Sequence, residues 1–513
     1  MYPGTYAQSQ PDKLAIIQPS TGLEMTYREL DEQSNRLAHL LYSQGLRRGD
    51  HLALFLENHP LFLAVAWACL RSGLYFTPIN RHLSAAEAAY IVNDCDARAL
   101  VASAALEQSA ELGDLAPDCE LKLAIGGDVA GFARFEDAIA DQPTGNLDEE
   151  SMGALMLYSS GTTGKPKGVK RPLPEGNPAR GNPATLFAAK MFNMDSDTIY
   201  LAPAPMYHAA PLGYSNATLV SGGTVVMMDK FEPELALQLI DQYRVTHSQW
   251  VPTMFIRMLK LPGEIRDKYD VSSMRCAIHA AAPCPAEVKR QMIDWWGPVI
   301  EEYYSSTEAA GYTRITSEEW LAHPGSVGRS AGKPFHICDE DGNELPAGEP
   351  GMIYAEMAPG TEVTYHKDPE KSASARHPRH DDWLCVGDVG YLDAEGYLYL
   401  TDRKSFMIIS GGVNIYPQQI EDVLALYPGI EDIAVIGVPN EELGEEARAL
   451  VQLAPGGVPS EELAEEIKAF VRDKLGKQLV PRSLEFVDSL PRTPTGKLNK
   501  KSLREKYWPA AKP

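Results

Sequence analysis

"HLALFLENHPLFLAVAWACLRSGLYFTPIN", His51 to Asn80, decides the fold class. HLALFL is an apolar run without polar alternation, the mark of a strand buried on both faces. LFLAVAWACLRSG is long enough for a packed helix and closes at Gly73, and LYFTPIN returns to a strand. Strand, helix, strand predicts a parallel pair joined by a crossover helix. The texture returns at SGGTVVMMD (221–229) and ALQLIDQYRVTHSQWVPTMF (236–255). Upstream, Thr26 and Glu29 form a capping-box pattern ahead of Leu30, Leu37, Leu40 and Leu41, with Gly45 closing an amphipathic helix. The long first part therefore reads as α/β, parallel-rich sheet covered by helices.

From GDVGYLDAEGYLYLTDRK (387–404) the texture changes to short strands broken at Asp-Ala-Glu-Gly. IEDIAVIGV and ARALVQLAP then read as paired strands, and a helix follows from Ser460 to about Leu475. This tail is expected to form a small α+β unit, which divides the chain into 1–402 and 403–513 with a hinge near Asp402–Ser405.

At 513 residues the chain is too long for one ordinary core, and its 44% hydrophobic and 23% charged content are those of a globular protein. A net charge of -23 argues against nucleic acid or an anionic membrane as partner, because the summed field repels polyanions. The seven cysteines are scattered, odd in number and without a C-x-x-C pair. They suggest neither a disulfide frame nor a zinc site, and they fit a reducing cytoplasm. No membrane span is expected, since the longest strongly apolar run, Phe62–Leu70, is too short.

SSGTTGKPKG (159–168) follows the apolar run ALMLY and holds three glycines, four hydroxyl residues and two lysines. Glycines for tight backbone, hydroxyls for hydrogen bonds and lysines for charge describe a cradle for phosphate oxygens. It is not the P-loop of the NTPases. Only Thr162 and Thr163 separate Gly161 from Gly164-Lys165, and Pro166 stands where a magnesium-binding hydroxyl belongs. EEYYSSTEAAG (301–311) adds an aromatic face that can stack on a purine, a hydroxyl that can bond phosphate and a carboxylate that can hold Mg²⁺. WLCVGD (383–388) offers a carboxylate after a glycine turn, suited to ribose hydroxyls. DRKSFMIISGGVNIYPQQIE (402–421) pairs an arginine with a double glycine, and LPRTPTGKLNK sets Lys497 on a Thr-Gly turn.

In this order, YSSGTTGKPKGV, YYSSTE, WLCVGD, DRKSFMIISGGVNIYP and PRTPTGK resemble the motif set of the adenylate-forming enzymes: acyl-CoA synthetases, firefly luciferase and peptide-synthetase adenylation domains. The match runs from about Tyr6 to Lys501. The texture of PMYHAAP, VPTMF, HAAAPCP and GGVNIYPQQIE is most similar to acyl-CoA synthetases, including fatty-acid and bile-acid or steroid-acid ligases.

The resemblance implies a large N-terminal domain, a small mobile C-terminal domain and two steps. A carboxylate attacks the α-phosphorus of ATP, giving an acyl-adenylate and pyrophosphate, and the thiol of coenzyme A then displaces AMP. It also implies roles. Ser159, Ser160, Gly161, Thr162, Thr163, Gly164 and Lys167 would line the triphosphate. Glu302, Tyr303 and Tyr304 would bind the nucleotide, Tyr304 stacking on adenine beside Ala281 and Ala282. Thr307 would bond the α-phosphate, Glu308 would hold Mg²⁺, and Asp388 with Arg403 would take the ribose. Lys497 would reach the α-phosphate and the acyl carboxylate, His208 would flank the acyl pocket, and Gly411 and Gly412 would line the coenzyme A channel. FIRMLKL, HAAAPCP and the surroundings of His208 suggest a hydrophobic acid.

Three positions depart from the pattern: Ser305 for the usual glycine, Val386 for the usual threonine before Gly387-Asp388, and Ser405-Phe406 where hinge charges are common. Two other readings stand beside the synthetase: a stand-alone module loading a carrier protein, and an inactive acyl- or nucleotide-binding homologue. Glu308, Asp388, Arg403 and Lys497 are all present, which weighs against the inactive one. Assembly as a homodimer stays open.

Overall fold

A computed structural model of the chain describes residues 2–159, 166–308, 311–403, 406–411, 413–440, 442–492 and 498–508. They form two compact units. The first comprises Met1–Gln249, Asp267–Cys276 and Pro359–Ala373, and the second Trp250–Arg266, Ala277–Ala358 and Ser374–Pro513.

The opening stretch folds as its pattern predicts, with a strand at His51–Phe55, a helix at Pro60–Arg71 and a strand at Tyr75–Pro78. Pro60 suits the first helical turn, where its missing N–H costs nothing, and ten of the helix's twelve residues are buried, which its all-round apolarity demands. These strands belong to a parallel sheet in the order Ala133–Arg134, Leu121–Ile125, Ala97–Ser103, His51–Phe55, Tyr75–Pro78, Ala154–Leu155. A second set runs Leu23–Thr26, Leu14–Gln18, Thr224–Met227, Ile199–Ala202, parallel except for the outermost pair. The helix Tyr27–Ser43 starts in a capping box in which Thr26 and Glu29 satisfy each other's backbone N–H.

A short antiparallel sheet completes the first unit. Leu157–Ser159 pairs with Lys167–Lys170, which pairs with Thr364–Tyr365.

In the second unit Ala277, Ile278 and His279, the end of the strand Cys276–His279, pair in parallel with Ile300–Glu302 and lead to the candidate nucleotide residues. A six-stranded antiparallel sheet follows, in the order Thr313–Arg314, Ser326–Ser330, Leu398–Arg403, Trp383–Leu392, Gly351–Glu356, Phe335–Cys338. The Asp-Ala-Glu-Gly break is the turn of its Trp383–Leu392/Leu398–Arg403 hairpin. The tail has its own sheet of Val413–Ile415, Ile408–Ser410, Gly444–Leu453 and Ile430–Asn440, with Ser483–Phe486 added in parallel. Ile408, Ile420, Leu424, Val435, Val451, Ile467 and Val471 close a core made of tail residues alone.

Candidate active site

The candidate residues fall into two groups, one in each unit. In the first unit, the hairpin Leu157–Ser159/Lys167–Lys170 sets Ser159 opposite Lys167. It is pinned at its base, where the Tyr158 hydroxyl donates to Asp94 at 2.5 Å. A Cβ at Gly168 would press on the end of the Met156 side chain, which would have to shift to admit it. The Lys167 ammonium forms an ion pair with Asp368. Ser160, Gly161, Thr162, Thr163 and Gly164 lie outside the described residues, as do Gly412 and Lys497.

His208 caps the helix Ala209–Ser221 through its backbone and packs against Tyr207 with ring centroids 4.5 Å apart. Asn58 fixes the segment before it. Its Nδ2 donates to the Ala204 and Met228 carbonyls at 3.2 and 2.7 Å, and its Oδ1 accepts from the Met206 N–H at 2.9 Å. Nothing in the pattern "ENHP" marks Asn58 for this work; only the fold brings residues 146 and 170 positions away onto it.

In the second unit, Tyr304 and Asp388 come together from 84 residues apart, the phenol donating to Asp388 Oδ2 at 2.7 Å. Asp388 is in turn the cross-strand partner of Arg403. Tyr304 is held by its N–H on Thr313 Oγ1 at 3.0 Å and lies against Phe335 at 5.9 Å, while Tyr303 stacks on Tyr312. Ser305, in place of a glycine, donates to the Gly311 carbonyl at 2.8 Å, so its hydroxyl braces the turn that follows. Ala281 takes φ +77, a left-handed conformation uncommon for a residue with a Cβ, in the loop after Cys276–His279. Glu308 is 8% exposed and follows Thr307 in a turn.

Glu302 is engaged in the interior. Its carboxylate accepts from the Lys289 ammonium at 2.7 Å, with His279 Nε2 at 3.4 Å, all three side chains buried. Burial holds the Glu302 carboxyl above its ordinary range against the opposing pull of Lys289. Burial, aided by the Lys289 charge, pushes the His279 imidazole well below its own. Glu302 thus borders the aromatic pair through its backbone while its side chain serves the interior.

Gly411, at φ +57, turns the hairpin between Ile408–Ser410 and Val413–Ile415, whose Ile409 and Val413 are exposed. Among the described residues no helix is long and apolar enough to cross a membrane, and no three His, Cys, Asp or Glu side chains are grouped to hold a metal ion.

The chain matches the AMP-binding enzyme family over residues 5–361 and the AMP-binding enzyme C-terminal domain over residues 419–497. It is 34% identical to a feruloyl-CoA synthase of an Amycolatopsis species over 512 residues, 99% of this chain and 98% of that one. A long-chain-fatty-acid–CoA ligase of Mycobacterium tuberculosis is 30% identical over 508 residues, 98% and 97% of the two chains. Among solved structures, ATP-bound MatB from Rhodopseudomonas palustris superposes with a TM-score of 0.82 at 28% identity, covering 99% of each chain.

Proposed function

This chain belongs to the AMP-binding enzyme family and is an AMP-forming acid–thiol ligase, and we propose that it joins a hydrophobic carboxylic acid to coenzyme A in two steps through an acyl-adenylate. The observation that carries the reading is the Tyr304–Asp388 hydrogen bond with Arg403 opposite. It sets an aromatic face and a ribose-gripping carboxylate side by side, the pair that a nucleoside needs.

The remaining roles follow from chemistry at named atoms. Ser159, Ser160, Gly161, Thr162, Thr163, Gly164 and Lys167 receive the β- and γ-phosphates that leave as pyrophosphate. The Lys167–Asp368 pair holds the ammonium at the hairpin base until phosphate oxygens compete for it. Thr307 donates to the α-phosphate, and Lys497 offsets the repulsion between that phosphate and the incoming carboxylate. Mg²⁺ keeps waters and needs only one or two carboxylates beside substrate phosphates, so a single acid at Glu308 fits it, and no protein cage is required. Bound there, it neutralises phosphate charge. His208 flanks the acyl group, and Gly411 and Gly412 line the approach of coenzyme A. The names of the two curated relatives, one acting on an aromatic acid and one on a fatty acid, support an apolar acyl group. We place the domain boundary at 402/403, supported by the tail's separate core, and the enzyme in the cytoplasm, supported by seven free cysteines.

The test is a panel of butyrate, palmitate, ferulate and indoleacetate assayed for pyrophosphate release with coenzyme A and for ATP–pyrophosphate exchange without it. At least one acid should drive both reactions. Release of phosphate and ADP, or turnover indifferent to the acid, overturns the reading.

A further inference from the structure

The main chain of Tyr304 is held twice by one residue. Glu302 and Ile315 form a bridge in which each N–H donates to the other's carbonyl, and that register sets Tyr304 opposite Thr313. There the Thr313 N–H donates to the Tyr304 carbonyl at 3.1 Å. The Tyr304 N–H goes to the Thr313 hydroxyl oxygen at 3.0 Å, where an unbroken ladder would use the carbonyl. The hydroxyl belongs to a wholly buried side chain and passes its own proton to the Val327 carbonyl. Val327 is the extra residue of a bulge: Ser326 lies opposite Tyr399 and Gly328 opposite Leu398, which leaves Val327 outside the pairing. Ser326 fastens the bulge, its hydroxyl donating to the Leu398 carbonyl and accepting from the Gly328 N–H, both at 2.9 Å. Leu398 begins the strand Leu398–Arg403, whose far end faces Asp388, and Asp388 accepts the Tyr304 phenol. The path closes on itself, from the Tyr304 main chain through Thr313 and the bulge to Asp388 and back to the Tyr304 ring.

We propose that Thr313 is a positioning residue for the nucleoside, fixing the main chain of Tyr304 so that its ring stays where Asp388 receives the phenol; this rests on the reading of Tyr304 and Asp388 as the nucleoside pair. The physical reason is that a ring tethered only at its tip still swings about its own Cα. With the N–H and the carbonyl of Tyr304 both engaged, the ring has a fixed pivot, and the plane on which a purine would stack is set from both ends. Threonine suits the place. Its hydroxyl accepts one hydrogen bond while donating another, and its branched Cβ restricts χ1, so the oxygen is held between its two partners. Valine would keep the shape of the side chain and take the hydroxyl from both the Tyr304 N–H and the Val327 carbonyl.

The experiment compares full-length Thr313→Val, Thr313→Cys and Thr313→Ser with the wild type, by calorimetric titration with AMP and by kinetics with the acid that the panel selects. AMP should bind about tenfold more weakly to Thr313→Val, the loss expected for a buried hydrogen bond left unmade, and within about twofold of wild type to Thr313→Ser. Thr313→Cys should fall between them, because a thiol is a weak acceptor. KM for ATP should follow the same order while kcat and KM for the acid move less than about twofold, as lost uniform binding of the nucleotide requires. A lowered thermal midpoint in Thr313→Val and Thr313→Cys with AMP affinity intact, the mark of a merely structural threonine, overturns the proposal. In a Tyr304→Ala background, itself weakened for AMP, Thr313→Val should cost less than about twofold more, since no ring is left to place. A further tenfold loss there assigns its effect to something other than Tyr304 and overturns the proposal as well. Tyr304→Ala that binds AMP like the wild type sinks the nucleoside reading instead, whatever Thr313→Val shows.

Discussion

Glu302 and Tyr304 sit two positions apart and serve different partners, Lys289 for the acid and Asp388 for the phenol. In the three-residue strand Ile300–Glu302 alternation sends Glu301 to Arg314 and Glu302 to Lys289. The buried Lys289–Glu302 pair gains little over a hydrophobic filling, yet breaking it leaves one charge stranded in the interior. Lys289→Met should therefore destabilise the protein by about 3–5 kcal/mol, seen as a lower thermal midpoint. Adding Glu302→Gln should recover most of the loss, and the double variant should keep its KM for ATP. A raised KM for ATP in Glu302→Gln with the midpoint intact would assign the carboxylate to the nucleotide instead.

At the scale of elements, one hairpin sets the geometry of the proposed ribose site. Trp383–Leu392 and Leu398–Arg403 pair with an irregularity between Val389 and Gly390, and that register is what sets Asp388 opposite Arg403. Gly390 has no room for a side chain, because a Cβ would run into the Tyr399 carbonyl and press on Ile353. Gly390→Ala should thus cost about 1–3 kcal/mol of stability and raise KM for ATP several-fold by parting the strands, with KM for the acid much less affected. Equal rises in both would mean that the strain spreads beyond the hairpin.

Elements of this kind were legible wherever a local signal existed. The Asp-Ala-Glu-Gly turn, the Thr26/Glu29 capping box and the unbroken apolarity of HLALFL each mark structure from within a few residues. The partners of the site were not. Lys167 finds Asp368 across 201 residues and Tyr304 finds Asp388 across 84, and no periodicity encodes which distant carboxylate the fold delivers. The direction of Glu302 was hidden for a related reason. In "VIEEYY" two adjacent acids and two adjacent tyrosines leave the inward face undetermined until Lys289 arrives.

At the scale of the molecule, a chain of net charge -23 handles a tetra-anionic nucleotide and an acid, so cations have to act at chosen places and chosen times. Lys497 is the cation whose timing tests the two-step account. When carboxylate and α-phosphate approach, two negative groups are pressed together, and a preorganised ammonium offsets that repulsion only while the new bond forms. In the proposed second step the attacking group is a thiol and AMP is leaving, so the need for the charge has passed. The tail carries its own core in Ile408, Ile420, Val435 and Val451, and on the two-step proposal it turns as a body between the steps. Lys497→Ala should then lower acid-dependent pyrophosphate exchange by roughly two to three orders of magnitude, the loss typical for one preorganised electrostatic group. Thioester formation from a supplied acyl-adenylate should change far less. A plain surface lysine predicts that neither half-reaction responds. Parallel loss of both would mean that one fixed arrangement of the domains serves both steps, and measuring the two on the same purified variant separates these outcomes.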